Sequence, residues 1–345
     1  MKQISPGKTD LPLIRLGLVF PLIEELERRN IHYQQALSTF NLVKQDVLGG
    51  EMFIPAPVMY GIVEQLAEVS GDPHFGVRVG AKLDPFAWPP LAEAAELSGT
   101  VGEFLLRFLI DATDHESSVT HVLETKGGHT TFHEKRKVDG NIFPRHNDGF
   151  TIAYLLSLLS KALGEHWDGH KVLVRLCDPG VLPDNYLGVR SATTDTFGPS
   201  ITFPCNWLIL PLAMKRTRVH NRVTLTGSPL PTKWIEAFRQ ILQRHIHEFD
   251  LTTRRVADIC GYSKRTLARK LQAHGTSIQQ EIANLRKMRA RRELINSKHP
   301  ISEIALMLGY TDTTVFSRAF KRWTGLSPSQ YRKKSAAVNL PIVNN

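Results

Sequence analysis

The sequence predicts an α+β N-terminal domain followed by an all-α C-terminal domain that holds two helix-turn-helix units. Three observations lead there. In the last hundred residues one pattern occurs twice: Ala257, Gly261 and Tyr262 recur 48 positions later as Ala305, Gly309 and Tyr310, and Leu267, Arg269 and Leu271 recur 49 later as Phe316, Arg318 and Phe320. Gly275 and Ser277 recur 50 later as Gly325 and Ser327. Each copy reads as an apolar-periodic helix, a Gly-Tyr turn and a second helix with a polar, cationic outer face. Charge is the second observation: residues 233–334 hold 21 Lys and Arg against 8 Asp and Glu, a net of +13 in a chain of net +10, so the remainder is slightly acidic. The third is a change of apolar period, from helical to alternating, between Val119 and Lys137.

Residues 14–82 read as helical. Leu18, Leu22, Ile23 and Leu26 fall on one helical face, and Val58, Ile62, Val63, Leu66 and Val69 repeat the pattern after Pro55 and Pro57. Glu103–Ala112 is a strongly apolar helix. Val119–Thr125 and Thr130–Lys137 flank Gly127-Gly128 as a hairpin, because two glycines supply the positive φ that a tight hairpin turn needs. A helix from about Asp148 to Leu163 precedes a strand at Lys171–Leu176 and another at Ile201–Leu210. Helices mixed with a few antiparallel strands give the α+β class. Gly227, Pro229 and Pro231 mark a linker at 226–232, which sets the domains at 1–225 and 233–334, with a tail at 335–345.

Trp234–His247 opens the second domain with Ile235, Phe238 and Leu242 on one face. Arg254–Cys260, with Val256, Ile259 and Cys260 inward, is the first positioning helix. Ser263 can cap Lys264–His274, which Gly275 ends. Ser277 and Gln280 have the capping-box pattern for a helix reaching about Ile295, inward on Ile278, Ile282 and Leu285. Ile301–Leu308 and Asp312–Trp323 repeat the pair, and Ser327-Pro328-Ser329-Gln330 starts a last short helix with proline in its first turn.

Composition bounds the rest. With 345 residues, 42% hydrophobic and 22% charged, the chain is globular and has room for two cores. Cys177, Cys205 and Cys260 form no C-x-x-C pair, so a reduced cytoplasmic protein without disulfides or a Cys-rich zinc site is expected, and Cys177 and Cys205 read as buried small apolar residues. No apolar run reaches membrane length, and Pro12, Arg15 and Pro21 interrupt the N-terminal one, so neither membrane nor signal peptide is expected. H-E-x-x-H, G-x-S-x-G and phosphate-loop motifs are absent, and no enzyme, catalytic residue or cofactor is expected. His129 and His133 share a strand face without helical ligand spacing, so no metal site is expected there. Phe86 and Trp88-Pro89-Pro90 could line a pocket, but plain packing is the simpler reading.

A basic module built from two helix-turn-helix units implies double-stranded DNA as partner. The reading helices would be Lys264–His274 and Asp312–Trp323, inward on Leu267, Leu271, Phe316 and Phe320. Their outward N-terminal positions are Lys264, Arg265, Ala268 and Arg269 in the first, and Thr313, Thr314, Ser317 and Arg318 in the second. Lys321 and Arg322 extend the second set. Arginine can donate bidentate bonds to guanine O6 and N7, worth about 1–3 kcal/mol of discrimination per good pair. A salt bridge within the module or a phosphate contact is the alternative for Arg269 and Arg318. The helix between the two units, about 18 residues or roughly 27 Å, can set the reading helices about one DNA turn apart, roughly 34 Å, with some bending of the duplex. Arg286, Lys287, Arg289, Arg291 and Arg292 on that helix are either a solvated face or a phosphate-contact surface.

Arg255-Val-Ala-Asp-Ile-Cys-Gly-Tyr-Ser-Lys-Arg-Thr-Leu-Ala-Arg-Lys-Leu, and the run from Ile304-Ala-Leu-Met-Leu-Gly-Tyr to Gly325-Leu-Ser-Pro-Ser-Gln-Tyr-Arg, resemble the AraC/XylS family of bacterial transcription regulators. The resemblance places the family's base-reading positions on the outward residues named above. Ala268 departs from it, since the family often has Gln there, and no polar contact is expected from that position. Gly71-Asp-Pro-His-Phe-Gly-Val-Arg-Val-Gly, with Ile201-Thr-Phe-Pro, is similar to the sensor domain of the subgroup that includes the ornithine-utilisation regulator. That similarity implies a homodimer and a small-molecule effector, which it does not name, with RNA polymerase as a further partner. Two rivals stand beside a sequence-specific regulator. A DNA-repair alkyl transferase needs an activated cysteine and, in its familiar form, a four-cysteine zinc site. A non-specific architectural protein would bind all duplexes alike, with a steep salt dependence.

Overall fold

A computed structural model describes residues 11–49, 52–84, 89–112, 117–138, 143–194, 198–214 and 233–338. Backbone packing divides the chain into two compact units, Met1–Thr232 and Lys233–Asn345. The expected linker at 226–232 and the residues Phe86 and Trp88 lie outside the described residues, as does most of the expected tail.

The first unit begins with β1 (Leu13–Arg15), followed by α1 (Phe20–Arg28), α2 (Gln34–Ser38) and α3 (Lys44–Leu48). Then come β2 (Phe53–Pro55), α4 (Ala56–Ser70) and α5 (Phe75–Gly80). The helical reading of 14–82 needs correcting here, because β1 and β2 pair antiparallel, Ile14 opposite Ile54. Pro55 ends β2, and α4 starts directly after it with Pro57 in its first turn, where a missing N–H costs nothing. Leu18 and Val69 are 36% and 39% exposed rather than inward. Leu22, Ile23, Leu26, Ile62, Val63 and Leu66 are buried as expected, in one cluster with Phe75 and Val79.

Next come α6 (Pro89–Glu96), α7 (Val101–Ala112), the hairpin strands β3 (Val119–Lys126) and β4 (His129–Arg136), and α8 (Arg145–Leu163). Gly127 and Gly128 both have positive φ, 58° and 78°, as the turn demands. β5 (Leu173–Leu176), β6 (Arg190–Thr193) and β7 (Ser200–Pro204) complete a five-stranded sheet in the order β3-β4-β7-β5-β6. Antiparallel pairing holds except between β5 and β6, which run parallel. The second apolar strand stops at Pro204 and gives way to a 3-10 turn over Cys205–Ile209, shorter than the expected 201–210. A second hydrophobic cluster joins α7 and α8 to the sheet through Phe104, Phe108, Phe132, Leu156, Leu159, Val174 and Phe203. α5 lies against α8 at backbone distance: Gly76 and Gly80, four apart on one face, leave room for α8 carbonyls that any β-carbon would strike.

The second unit is all helix: α9 (Trp234–His245), α10 (Thr253–Ile259), α11 (Lys264–Ala273), α12 (Ile278–Asn296), α13 (Ile301–Met307), α14 (Thr313–Thr324) and α15 (Pro328–Val338). Thr252, Ser263, Ser277 and Asp312 each cap the following helix through the side-chain oxygen. Ser327 and Gln330 bond reciprocally, Oγ accepting from the Gln330 N–H and Oε1 from the Ser327 N–H. The repeat is a structural one. Tyr262 donates its N–H to the Ala257 carbonyl at 2.9 Å, and Tyr310 does the same to Ala305 at 2.9 Å. Gly261, Gly275, Gly309 and Gly325 are all left-handed, φ between 68° and 79°. The shift of the repeat from 48 to 49 is one residue gained in the turn, Cys260–Ser263 against Leu308–Asp312.

Candidate DNA-binding surface

Each half of the second unit seats its second helix on a small aromatic and aliphatic core. In the first half, Leu267 and Leu271 of α11 are fully buried beside Val256 and Ile259 of α10, and Trp234 stacks on Phe238 at 5.1 Å and on His274 at 5.3 Å. In the second, Phe316 and Phe320 of α14 pack with Ile304, Ala305 and Leu308, and with Ala290 and Leu294 of α12. Phe320 meets Tyr331 of α15 edge-on at 5.3 Å. Burying these positions fixes which face of each helix looks outward, because helical neighbours recur every three to four residues.

The outward faces carry the expected residues. Lys264, Arg265, Ala268 and Arg269 of α11 are exposed, as are Thr314, Arg318, Lys321 and Arg322 of α14, while Thr313 and Ser317 are half-buried. Among the described residues, none of Lys264, Arg265, Arg269, Arg318, Lys321 and Arg322 enters an ion pair. The intramodule salt bridge that was the alternative for Arg269 and Arg318 is thus not formed. At the start of α14 the Thr314 backbone N–H holds the Asp312 carboxyl below its usual range, with a smaller contribution from Arg318. The carboxylate thereby serves as the cap of α14.

Other cations of the unit are spent internally. Arg239 of α9 grips Glu281 of α12 through Nε and Nη2 at 2.7 and 3.0 Å. Arg255 donates to Glu248 at 3.1 Å, and Arg332 donates to the His299 carbonyl at 2.7 Å. The charge run on α12 divides between the two expectations. Arg286 is half-buried, lies 4.8 Å over the Tyr310 ring and points Nη2 at the carbonyls of Glu248 and Gly309, 3.4 and 3.5 Å away. Burial pulls its pKa down. Arg291 donates to the Tyr331 hydroxyl at 2.7 Å, yet it and Arg292 remain exposed and available to a polyanion. The bracket made by Arg286 had no sequence signal of its own, since it depends on the Gly309 turn coming to meet it.

Two of the three cysteines have thiols that burial makes harder to ionise. Cys260 is fully buried and its thiol is pushed up to about 12 by desolvation; burial also raises Cys177. Cys177 and Cys205 are half-buried rather than fully so. The described residues hold no group of three or more potential metal ligands and no helix long and apolar enough to cross a membrane.

Residues 256–334 match the helix-turn-helix domain family, and residues 31–186 match the arabinose-binding domain found N-terminally in the AraC transcription regulator. Among curated proteins, the ornithine utilization regulator of Pseudomonas aeruginosa is 45% identical over 71 residues, 21% of this chain and 21% of that protein. The transcriptional activator NphR of a Rhodococcus species is 28% identical over 107 residues, 31% of this chain and 32% of its own length. The alignments thus span about a fifth to a third of these relatives. Among solved structures, the regulator CdpR of Pseudomonas aeruginosa is 20% identical with a TM-score of 0.37, covering 92% of this chain and 98% of that one. The chain thus carries, in this order, the arabinose-binding-type domain and the helix-turn-helix domain of AraC-type transcription regulators.

Proposed function

We propose that this protein is a sequence-specific DNA-binding regulator of transcription in which α11 and α14 enter successive major grooves. The observation that carries this is a set of six cations on those two helices, Lys264, Arg265, Arg269, Arg318, Lys321 and Arg322: they are exposed and engaged in no ion pair among the described residues, while Arg239, Arg255, Arg286 and Arg332 are tied down inside the unit. Unpaired cations at the leading ends of two repeated helices are what phosphate and guanine recognition require. Lys264, Arg265, Arg269, Thr314 and Arg318 are the base-edge candidates; Lys321 and Arg322, one turn further on, suit phosphates. α12, 19 residues long, spans about 28 Å, close to one duplex turn.

Residues 1–225 are the sensing and dimerising domain in this reading, and 226–232 the linker. A homodimer acting in the cytoplasm would double the DNA footprint, with RNA polymerase as a further partner and a small molecule as effector. No catalytic step is assigned. The test starts with footprinting the full chain on genomic DNA to obtain its site. Arg269→Ala and Arg318→Ala should then each lower affinity for that site by about 1–3 kcal/mol while leaving random duplex binding nearly unchanged. Equal losses on both DNAs would replace this reading with non-specific architectural binding.

A further inference from the structure

The first unit holds a partly open cavity of about 350 Å³ that DNA reading does not use. It sits on the seam between the unit's two hydrophobic clusters. Met59 and Val63 of α4 belong to the helical cluster, and Phe108 of α7 and Leu155 of α8 to the one backed by the five-stranded sheet. Small-molecule sites are usually mostly apolar clefts of a few hundred Å³, so a cavity of this size kept open at such a seam points to an occupant.

The wall chemistry restricts what that occupant can be. Most of the lining is aliphatic or aromatic. Its buried polar part includes Arg15 at the end of β1, 2% exposed, and Glu134 of β4, 8% exposed, while Glu24 and Lys82 line it as exposed residues and Asp84 as a half-buried one. His121 of β3 stands directly across the ladder from Glu134, with Nε2 3.6 Å from Oε2. A sugar carries a hydroxyl on nearly every carbon, and each would need a partner once buried; the mostly apolar walls would leave several of them facing carbon. A charged group at the buried end would meet Arg15 and Glu134 together, drawn to one and repelled by the other. A group that can donate to one and accept from another suits both.

We infer that this cavity binds one small, predominantly apolar, uncharged molecule bearing a single hydrogen-bonding group, an alcohol, ketone or secondary amine, with that group at the His121–Glu134 end. The inference rests on the reading of the first domain as a sensor and names the class of its effector. By filling the seam, the ligand ties the α4 side to the α7–α8 side, so its occupancy stabilises the first unit.

N-phenylnaphthylamine, which is uncharged, apolar and carries one N–H, is a suitable probe on the full-length chain. Its fluorescence should rise on burial and saturate at one molecule per chain. Decanol should displace it, and arabinose and ornithine at the same concentration should not. Val63→Phe, which fills the space, should weaken binding at least tenfold. Should that variant fail to fold, Thr151→Leu, a smaller intrusion at the wall, should weaken it severalfold. No saturable binding, displacement by arabinose or ornithine but not by decanol, or unchanged affinity in a folded cavity-filling variant would each overturn the inference. Footprinting on the same preparation separates the two readings: an intact footprint without probe binding sinks the cavity inference alone, and probe binding without a footprint sinks the DNA reading alone.

Discussion

A β-carbon placed on Gly76 would stand 2.0 Å from the carbonyl oxygen of His146. One on Gly80 would stand 2.2 Å from that of Phe150. Both obstacles are backbone of α8, which cannot swing aside as a side-chain tip would. Alanine normally stabilises a helix by up to about 1 kcal/mol relative to glycine. Here the clash should dominate, so Gly76→Ala and Gly80→Ala should each destabilise the first unit by about 1–3 kcal/mol. Urea unfolding followed by tryptophan emission would measure this, and a neutral or stabilising result would mean that α5 and α8 are farther apart.

Gly309 is boxed in where Gly275 and Gly325 are not. Its β-carbon would meet the Glu248 carbonyl at 2.6 Å and Arg286 Nη2 at 2.7 Å, whereas nothing lies within 4 Å of the other two. All three are left-handed, so alanine at any of them carries about 1–2 kcal/mol of backbone strain. Gly275→Ala and Gly325→Ala should cost that much and no more. Gly309→Ala should cost more than either and should loosen the Arg286 bracket, detectable as faster amide exchange at Glu248.

Arg239 is half exposed, but its partner Glu281 is only 2% exposed and also accepts from the Thr276 hydroxyl at 2.8 Å. The Arg239 hydrogen bonds hold the Glu281 carboxyl below its usual range. Arg239→Met strands a buried carboxylate, although solvent around the lost guanidinium softens the loss; about 1–2 kcal/mol is expected at pH 7. A depressed carboxyl gives stability that is present above its unfolded pKa, near 4.5, and is lost as pH falls through the folded value. The gap between wild type and variant should therefore shrink below pH 4.5, and a constant gap would show that the pair does not act through charge.

His146 gives the first unit a pH response of its own. Burial, assisted by Arg145, pulls its pKa from 6.5 down to about 4. Between those values the unfolded chain binds a proton that the folded one refuses, so acidification destabilises the fold. From pH 7 to pH 5 the loss should be about 1–2 kcal/mol. His146→Phe should flatten that part of the profile; an unchanged slope would assign it to another group.

The second unit was readable from sequence because its signals are local: caps sit next to the helices they start, glycines stand where the backbone turns left-handed, and the repeat checks each element against its copy. The outward positions of α11 and α14 followed from the helical period alone, with Thr313 and Ser317 more covered than expected. The first unit yielded less. β1 and β2 are three residues each and are strands only because they find one another across intervening helices, which no local window reveals. β6, Arg-Ser-Ala-Thr, is largely exposed and has no apolar alternation to announce it. The seam cavity escaped for the same reason: Arg15, His121 and Glu134 come from three strands, and only the tertiary fold brings them to one wall.

α12 gives Ile278 and Glu281 to one half of the second unit and Ala290 and Leu294 to the other. The two copies of the repeat are therefore not separable parts, since a chain cut inside this helix would strip a wall from both. Unfolding should be shared between them, and a lesion in one half should be felt by the other even where the two never touch.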